Sequence, residues 1–425
     1  MSDKLARSLF LLSLLMAAFG AGAAVVQFKV FPYYLARSIV GKAFTAYLNY
    51  GSYLGIAPTR WLRPAHLPGE GVTVADPARM QPGLTFMTSL FDEKVAMQLV
   101  DEEGKVVHRW IDTPSWFTNE IHGAVPLPDG SVVFSRADNG LRRIDKCGRE
   151  MWHLDRTTHH SVFLSEDDQT LWVSARRVLK EKDREELAHL PGIVPPFTEE
   201  MALQVSLDGK VLREISLPRI LYEAGLEGLM LPTGVDGIRN VDHEVTHLND
   251  VEVLQRKDAA AFPMFEPGDL LVSFRNTNLL FVFNPDTGAV KWHQTGPWIR
   301  QHDPDFRPDG LISVFDNRKD DTATGSILGG SRILAVDPAT GEVRELYRGS
   351  AAHPFFTNVL GKHQLLANGN ILVSSGYQGR VFEVTPAGDI VWEYINRYDA
   401  DRIILLHEGT RYPRDYFTVA DWSCP

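Results

Sequence analysis

The chain of 425 residues is 44% hydrophobic and 23% charged, a globular composition with length for one large or two medium domains, and it excludes bulk disorder. Its net charge of -11 argues against nucleic acid as a partner. A positive cluster would have to be built locally against that background field, which points to a small anion as its ligand.

Residues 8–28, SLFLLSLLMAAFGAGAAVVQF, hold no charge and suffice to cross a hydrocarbon core of roughly 30 Å. Lys4 and Arg7 precede them, a polarity that keeps the N-terminus cytoplasmic and exports the remainder. The apolar run continues past GAGAA through Val25 and Val26, so an uncleaved anchor is preferred over a signal peptide. Residues 30–55 mix aromatics with Arg37 and Lys42, just after Lys29, as in a helix lying at the membrane interface; a plain linker helix fits equally. RWLRPAHLPGEGVTVADPARMQPG is rich in Pro and Gly and reads as the join to the main domain. The expected division is 1–30 anchor or signal-like segment, 31–79 amphipathic helix and linker, and 80–425 folded domain.

Beyond about residue 80 the chain repeats at intervals of about 35–60 residues. FTNEIHGAVPLPDGSVVFS and FFTNVLGKHQLLANGNILVSS share Phe-Thr-Asn, with Asn119 and Asn358 at matching distances from the turn. LRRIDKCGREMW, LFVFNPDTGAVKW and VFEVTPAGDIVW each place a glycine four residues before Trp152, Trp292 or Trp392, as two further strands around a tight turn. Six such units begin near residues 84, 122, 160, 247, 302 and 359, and four strands apiece make a propeller blade. The expected fold is all-β, a six-bladed β-propeller with N-terminal transmembrane and interfacial helices. RRVLKEKDREELAHL and LPRILYEAGLEGLML, within 176–200 and 217–246, read as helical insertions. The last thirty residues, with Tyr412, Tyr416 and Trp422, supply a closing strand or a clasp. Cys147 and Cys424 allow one disulfide in an oxidising compartment and otherwise stay as free thiols.

Five histidines, His122, His160, His247, His302 and His363, stand just ahead of strand, turn, strand units. In IHGAVPLPDGSVVFSR, HHSVFLSEDDQTLWVSAR and QHDPDFRPDGLISVFDNR the hairpin returns to an arginine, bringing together His122 with Arg136, His160 with Arg176 and His302 with Arg318. A single exposed histidine is usually plain surface. Five at matching strand starts, where histidine has poor propensity, call for chemistry or for a histidine-bearing repeat ancestor. Imidazoles crowded with guanidiniums favour their neutral forms, and a neutral imidazole beside a fixed guanidinium suits transfer of an anionic group such as sulfate or phosphate. No phosphate loop, kinase signature or dinucleotide fingerprint is present, which argues against a nucleotide donor. Zinc or copper on these histidines with Asp250, Asp303 or Asp305 is opposed by the converging arginines, so no metal and no cofactor is expected. NPDTGAVKW is similar to the outer-strand repeat of quinoprotein dehydrogenases, but six blades do not suit that class.

THLNDVEVL around His247, QHDPDF with FDNR at His302 and Arg318, and LLANGNILVSSGYQGRVFEVTPAGDIVWEY carry a resemblance to the bacterial arylsulfotransferase-like proteins, from about residue 80 to 396. Those are six-bladed propellers that work outside the cytoplasm without the nucleotide sulfate donor. The resemblance implies ping-pong transfer of a sulfuryl group from an aryl sulfate to a phenol through a sulfohistidine. It implies that His247, His302 and Arg318 cradle the sulfate oxygens, helped by Asn249 and Asn317, with His122, His160 and Arg275 as further substrate contacts. The family's nucleophile comes from a later blade, where this chain offers His353 in AAHPFFTN or His363. Gly361 stands where His122 stands in the matching repeat, and His363 is displaced by two residues. The expected partners are an aryl sulfate donor, a phenolic acceptor and the membrane, without nucleic acid, and a homo-oligomer is compatible with the sequence. The expected location is the inner membrane, with one N-terminal anchor and the propeller on the periplasmic side. The alternative is a non-catalytic, membrane-anchored propeller that binds an anion or a protein partner.

Overall fold

The computed structural model describes residues 3–113, 120–166, 169–231 and 244–424, and divides into Met1–Arg60 and Trp61–Pro425. Asn119 of the Phe-Thr-Asn repeat and part of the second insertion lie outside the described residues. In the first unit, the helix Asp3–Phe28 has mean hydropathy 2.3 and buries none of its residues. A second helix, Tyr33–Leu48, exposes Leu35, Ile39, Val40, Phe44 and Tyr47.

The second unit is a six-bladed β-propeller. Its inner strands, blades one to six, are Leu406–Tyr412, Ile121–Pro126, Thr158–Leu164, Leu248–Val253, His302–Phe306 and Lys362–Leu365, and the other strands of each blade follow outward in antiparallel order. Middle strands are covered by neighbouring blades on both faces. That is why LLVSF at Leu270–Phe274 and LLFVF at Leu279–Phe283 read as continuous apolar runs with every residue buried, whereas the outermost Val290–Thr295 is partly exposed. Three tryptophans on outer strands each tie one blade to the next. Trp110 donates its indole N–H to the Gly130 carbonyl at 2.9 Å, Trp152 to Leu207 at 2.8 Å and Trp392 to Glu102 at 2.8 Å.

Two boundaries differ from expectation. Gly71–Ala75 pairs with Ile390–Ile395 as a fifth strand of blade six, so the propeller sheets begin before residue 80. The insertion after Arg176 is helical over Glu181–Leu187 alone, a 3-10 segment, because its two ends belong to Thr170–Leu179 and Phe197–Ser206, which pair along ten residues. The charged run keeps its helical turns, and ladder pairing claims the residues on either side of it. Leu217–Glu223 is helical as expected, with Ser216 capping its N-terminus. Leu179, Leu187, Leu190, Ile193, Phe197 and Val245 bury against one another, with Tyr222 and Leu231 beside them, as a small accessory core.

Blade one is assembled from both ends of the propeller chain: Leu406–Tyr412 pairs with Leu84–Phe91 and so closes the ring. The tail that follows packs Tyr416, Phe417 and Trp422 against blades one and two, and Cys424 is disulfide-bonded to Cys147 across 277 residues. Replacing both cysteines by serine is expected to lower the unfolding free energy by about 2–4 kcal/mol, measured as a shift of the urea midpoint. An unchanged midpoint would mean that the bond does not constrain the closed ring.

Candidate functional site

A β-bulge aims most of the imidazoles into the channel. In blade one the register slips between Leu406 and Glu408, making His407 the extra residue, and in blade two between Ile121 and Gly123, making His122 the extra residue. Slips follow Thr158, Leu248 and His302 in blades three to five. A bulge leaves a residue out of the ladder and turns its side chain, which is how a strand start can point inward. His160 and His247 hold φ of 54° and 55°, left-handed values that non-glycine residues adopt at a cost. Gly123 allows the crowding, since a Cβ there would meet the His160 carbonyl oxygen at 2.1 Å. Blade six has no slip and no imidazole at this level. Gly361 has φ of 125° and a Cβ on it would strike the Phe315 ring at 2.6 Å, so histidine does not fit.

The rings meet in sequence around the mouth. His407 stacks on His122 with centroids 5.6 Å apart, His122 on His160 at 5.1 Å, and His160 lies 5.0 Å from His247 and 6.2 Å from His302. Three close polar contacts fix their orientation. His247 Nδ1 lies 2.8 Å from Glu244 Oε2, and its Nε2 lies 2.9 Å from His160 Nε2. His302 Nδ1 lies 2.6 Å from Asn317 Oδ1. The Asn317 amide nitrogen donates to the carbonyls of Thr357 at 2.9 Å and Leu360 at 2.6 Å, so its oxygen must face His302. That oxygen only accepts, which places the proton on His302 Nδ1 and the lone pair on Nε2. Among the described residues, Nε2 has no hydrogen-bond partner.

Charge is arranged around these rings. Burial, reinforced by Arg275, pushes His302 down to about 3, and burial with the neighbouring His159, His122, His247 and His302 holds His160 far below its ordinary value. Burial raises Glu244, but the hydrogen bond and charge of His247, together with Arg176, outweigh it and hold the carboxyl at about 2. Burial, helped by Glu244, lifts Glu200 to about 8; it sits 3.3 Å from His159, which burial and Arg176 lower to about 3. Arg275 is pushed down to about 10 by burial and by Arg300, and Nε of both guanidiniums is buried without a hydrogen bond among the described residues. Arg275 is close enough to act on His247 and His302, and a buried guanidinium donor without a partner near neutral imidazoles is the chemistry that suits a small anion.

The expected residues divide accordingly. His122, His160, His247, His302 and Arg275 share the mouth. Asn317 and Asn249 orient it rather than face it, since Asn249 Nδ2 donates to the Gln301 carbonyl at 2.6 Å, tying blade four to blade five just before His302. Arg136 pairs with Asp112 at 2.9 Å, and Arg176 with Asp138 and Glu244. Arg318 does not join His302: its charged neighbours are Asp316, Arg332, Glu345 and Arg348, toward the outer strands of blade five. His353 is exposed beside Tyr347, Arg348 and Pro386. His363 is buried lower in the channel, with Nδ1 3.0 Å from Asp303, Nε2 2.7 Å from Ser313 Oγ and Asp305 at 3.4 Å. Sequence reasoning missed Arg300, Glu244, Glu200, His159 and His407; for His407, the LLHEG strand near the end was the available signal.

Fold and channel together define a six-bladed propeller whose mouth is lined by imidazole and guanidinium groups. The chain belongs to the arylsulfotransferase (ASST) family, whose model matches residues 123–397. Membership points to aryl sulfotransferase activity on an aryl donor and an aryl acceptor. A comparison with curated proteins finds no match. Similar solved structures include a protein of unknown function from Bacteroides caccae, with 13% identity over 77% of this chain and 99% of that chain and a TM-score of 0.49. Virginiamycin B lyase from Staphylococcus aureus has 12% identity over 80% and 89%, with a TM-score of 0.41.

These shifts set the pH dependence of the fold. His302 and His159 bind protons only when unfolded between about pH 3 and 6.5, so their contribution is complete above 6.5 and lost as pH falls toward 3. Glu200 acts oppositely, its contribution being complete below 4.5 and lost as pH rises through 8. In urea unfolding across pH 4–6, His302→Gln is expected to reduce the positive slope of stability by up to about 1.4 kcal/mol per pH unit. An unaltered slope would mean that His302 titrates normally.

Proposed function

We propose that the protein transfers a sulfuryl group from an aryl sulfate to a phenol, with His302 rather than His353 or His363 as the nucleophile. The observation that carries this reading is the amide lock of Asn317, which leaves Nε2 of a neutral imidazole unpaired next to Arg275. His353 is at the periphery, and both ring nitrogens of His363 are engaged, by Asp303 and by Ser313 Oγ. In the first step the Nε2 lone pair forms an N–S bond as the aryl O–S bond breaks, and the phenolate leaves with the bonding pair. The positive charge gained by the ring is held through Nδ1–H by the Asn317 oxygen. The acceptor phenol then gives its proton to the His160–His247 pair, supported by Glu244, while its oxygen attacks sulfur and the N–S bond breaks. That proton returns to the departed phenolate, and His302 is neutral again. Arg275 and Arg300 would hold the sulfuryl oxygens, where fixed charge matters most for a loose transfer. No step needs a cofactor.

The proposed location is an inner membrane, with Asp3–Phe28 as a single anchor and the propeller on the periplasmic side. The cationic Lys4 and Arg7 in the first turns of that helix, ahead of its uncharged run, and the disulfide between Cys147 and Cys424 support export.

The test is sulfuryl transfer from a chromogenic aryl sulfate to added phenol, with a radiolabelled sulfate donor to trap the intermediate. His302→Ala is expected to abolish both turnover and label, Arg275→Ala to lower kcat/KM ~10²–10³-fold, and His353→Ala to leave the rate near that of the unaltered protein. Label retained in His302→Ala would move the nucleophile elsewhere. Saturable aryl sulfate binding without turnover would make the protein an anion-binding propeller.

A further inference from the structure

We propose that the side of the mouth formed by blades one and two binds one divalent transition-metal ion, zinc best fitting the donors, through Glu120, His122 and His407. Glu120 Oε2 lies 3.7 Å from His122 Nε2 and 3.5 Å from His407 Nε2, and the three ligand atoms all lie within 4.8 Å of one another. Separations of 3.5–3.7 Å are long for hydrogen bonds. They approach the edge of about 3.3–3.4 Å expected for a tetrahedron with metal–ligand bonds near 2.0–2.1 Å. Two imidazoles and one carboxylate are the donor set of an open zinc site, which leaves a fourth position for water or a substrate oxygen.

Both histidines address one point, since their Nε2 atoms approach the same carboxylate oxygen. The site is also held in place. The His407 side chain is 1% exposed and meets the edge of Trp61 at 5.5 Å, while His122 is stacked against His160 at 5.1 Å. Rings confined in this way lose little freedom when a metal binds.

The objection that arginines converge on the channel applies to its other side. Arg275 and Arg300 flank blades four and five, opposite blades one and two in the ring, and Arg136 of blade two is held by Asp112 at 2.9 Å. Glu120 supplies negative charge where the cation would bind. A second group, Asp303, Asp305 and His363, meets the same distance criterion but is less suited. Both His363 ring nitrogens are occupied, by Asp303 at 3.0 Å and by Ser313 at 2.7 Å. The proposal concerns binding and is independent of the transfer reading.

The test uses the full-length protein in detergent, stripped with a chelator and titrated calorimetrically with zinc chloride, then with cobalt(II) followed by visible absorption. One equivalent is expected, with the intense absorption of four-coordinate cobalt. His122→Ala and His407→Ala are each expected to weaken binding by more than ~100-fold, beyond the usual cost of losing an outer-shell partner. Glu120→Gln keeps the side-chain volume and should weaken binding while leaving near-UV dichroism unchanged. His353→Ala and His363→Ala should bind as the unaltered protein does. The proposal is overturned if no saturable equivalent binds, if binding survives in His122→Ala and His407→Ala, or if it is lost in His353→Ala or His363→Ala.

Discussion

Closure of the ring by Leu406–Tyr412 is the interaction on which the rest depends. A propeller channel exists only when its first and last blades are joined, and here that joint is a strand from the end of the chain laid on Leu84–Phe91. The pairing is strongly non-local, so forming it costs loop entropy before any contact repays it. The disulfide from Cys424 to Cys147 reduces that cost by tethering the segment just beyond the strand. The same strand brings His407 and Glu408 to the channel, so closure and completion of the mouth are one event.

The channel is electrostatically divided along its length. Neutral imidazoles and unpaired guanidiniums occupy the mouth, while carboxylates gather farther along the inner strands, around a cavity of about 1040 Å³ that includes Asp250, Glu252, Asp303 and Asp305. Burial and the charge of Asp303 raise Asp250 to about 7. Burial also raises Glu408 to about 7, against the pull of Lys362. Asp303 alone among the four is held low: the hydrogen bond from His363 and the charge of Lys362 overcome its burial. Most of these carboxyls are pushed toward the neutral form and Lys362 offsets the charge of Asp303, so the two ends of the channel differ in chemistry, which gives it a direction that symmetric blades would lack.

Hydroxyl and amide side chains transmit position from blade to blade. Ser135 donates to Thr158 at 3.0 Å, Gln301 reaches Ser273 at 3.0 Å, and Ser374 reaches the Gly409 carbonyl at 3.3 Å. Gln301 precedes His302 and is fully buried, so the backbone of the proposed nucleophile is anchored to blade four while its ring is fixed by Asn317. An imidazole set from both sides has little freedom to reorient, and such preorganisation is what transfer between two aryl groups requires.

The sequence by itself determined the number of blades, the recurring outer hairpins with their glycine and tryptophan, and the histidine-first units, because these are local patterns set by strand periodicity and turn chemistry. It also located His122, His160, His247 and His302, each of which begins its own repeat. Only the tertiary structure decided which arginine accompanies them. Arg275 and Arg318 both follow a second strand, and only Arg275 faces the mouth, since the direction of a side chain past a strand end depends on neighbouring blades. Asn317 and Asn249 looked like ligand contacts and act as braces, because their amides find carbonyls from elsewhere in the chain. His407 escaped notice because closure splits its blade between the two ends of the chain, so no hairpin follows it. Gly361 marks the same limit: its lack of a side chain is explained by the Phe315 ring, a neighbour in space forty-six residues away.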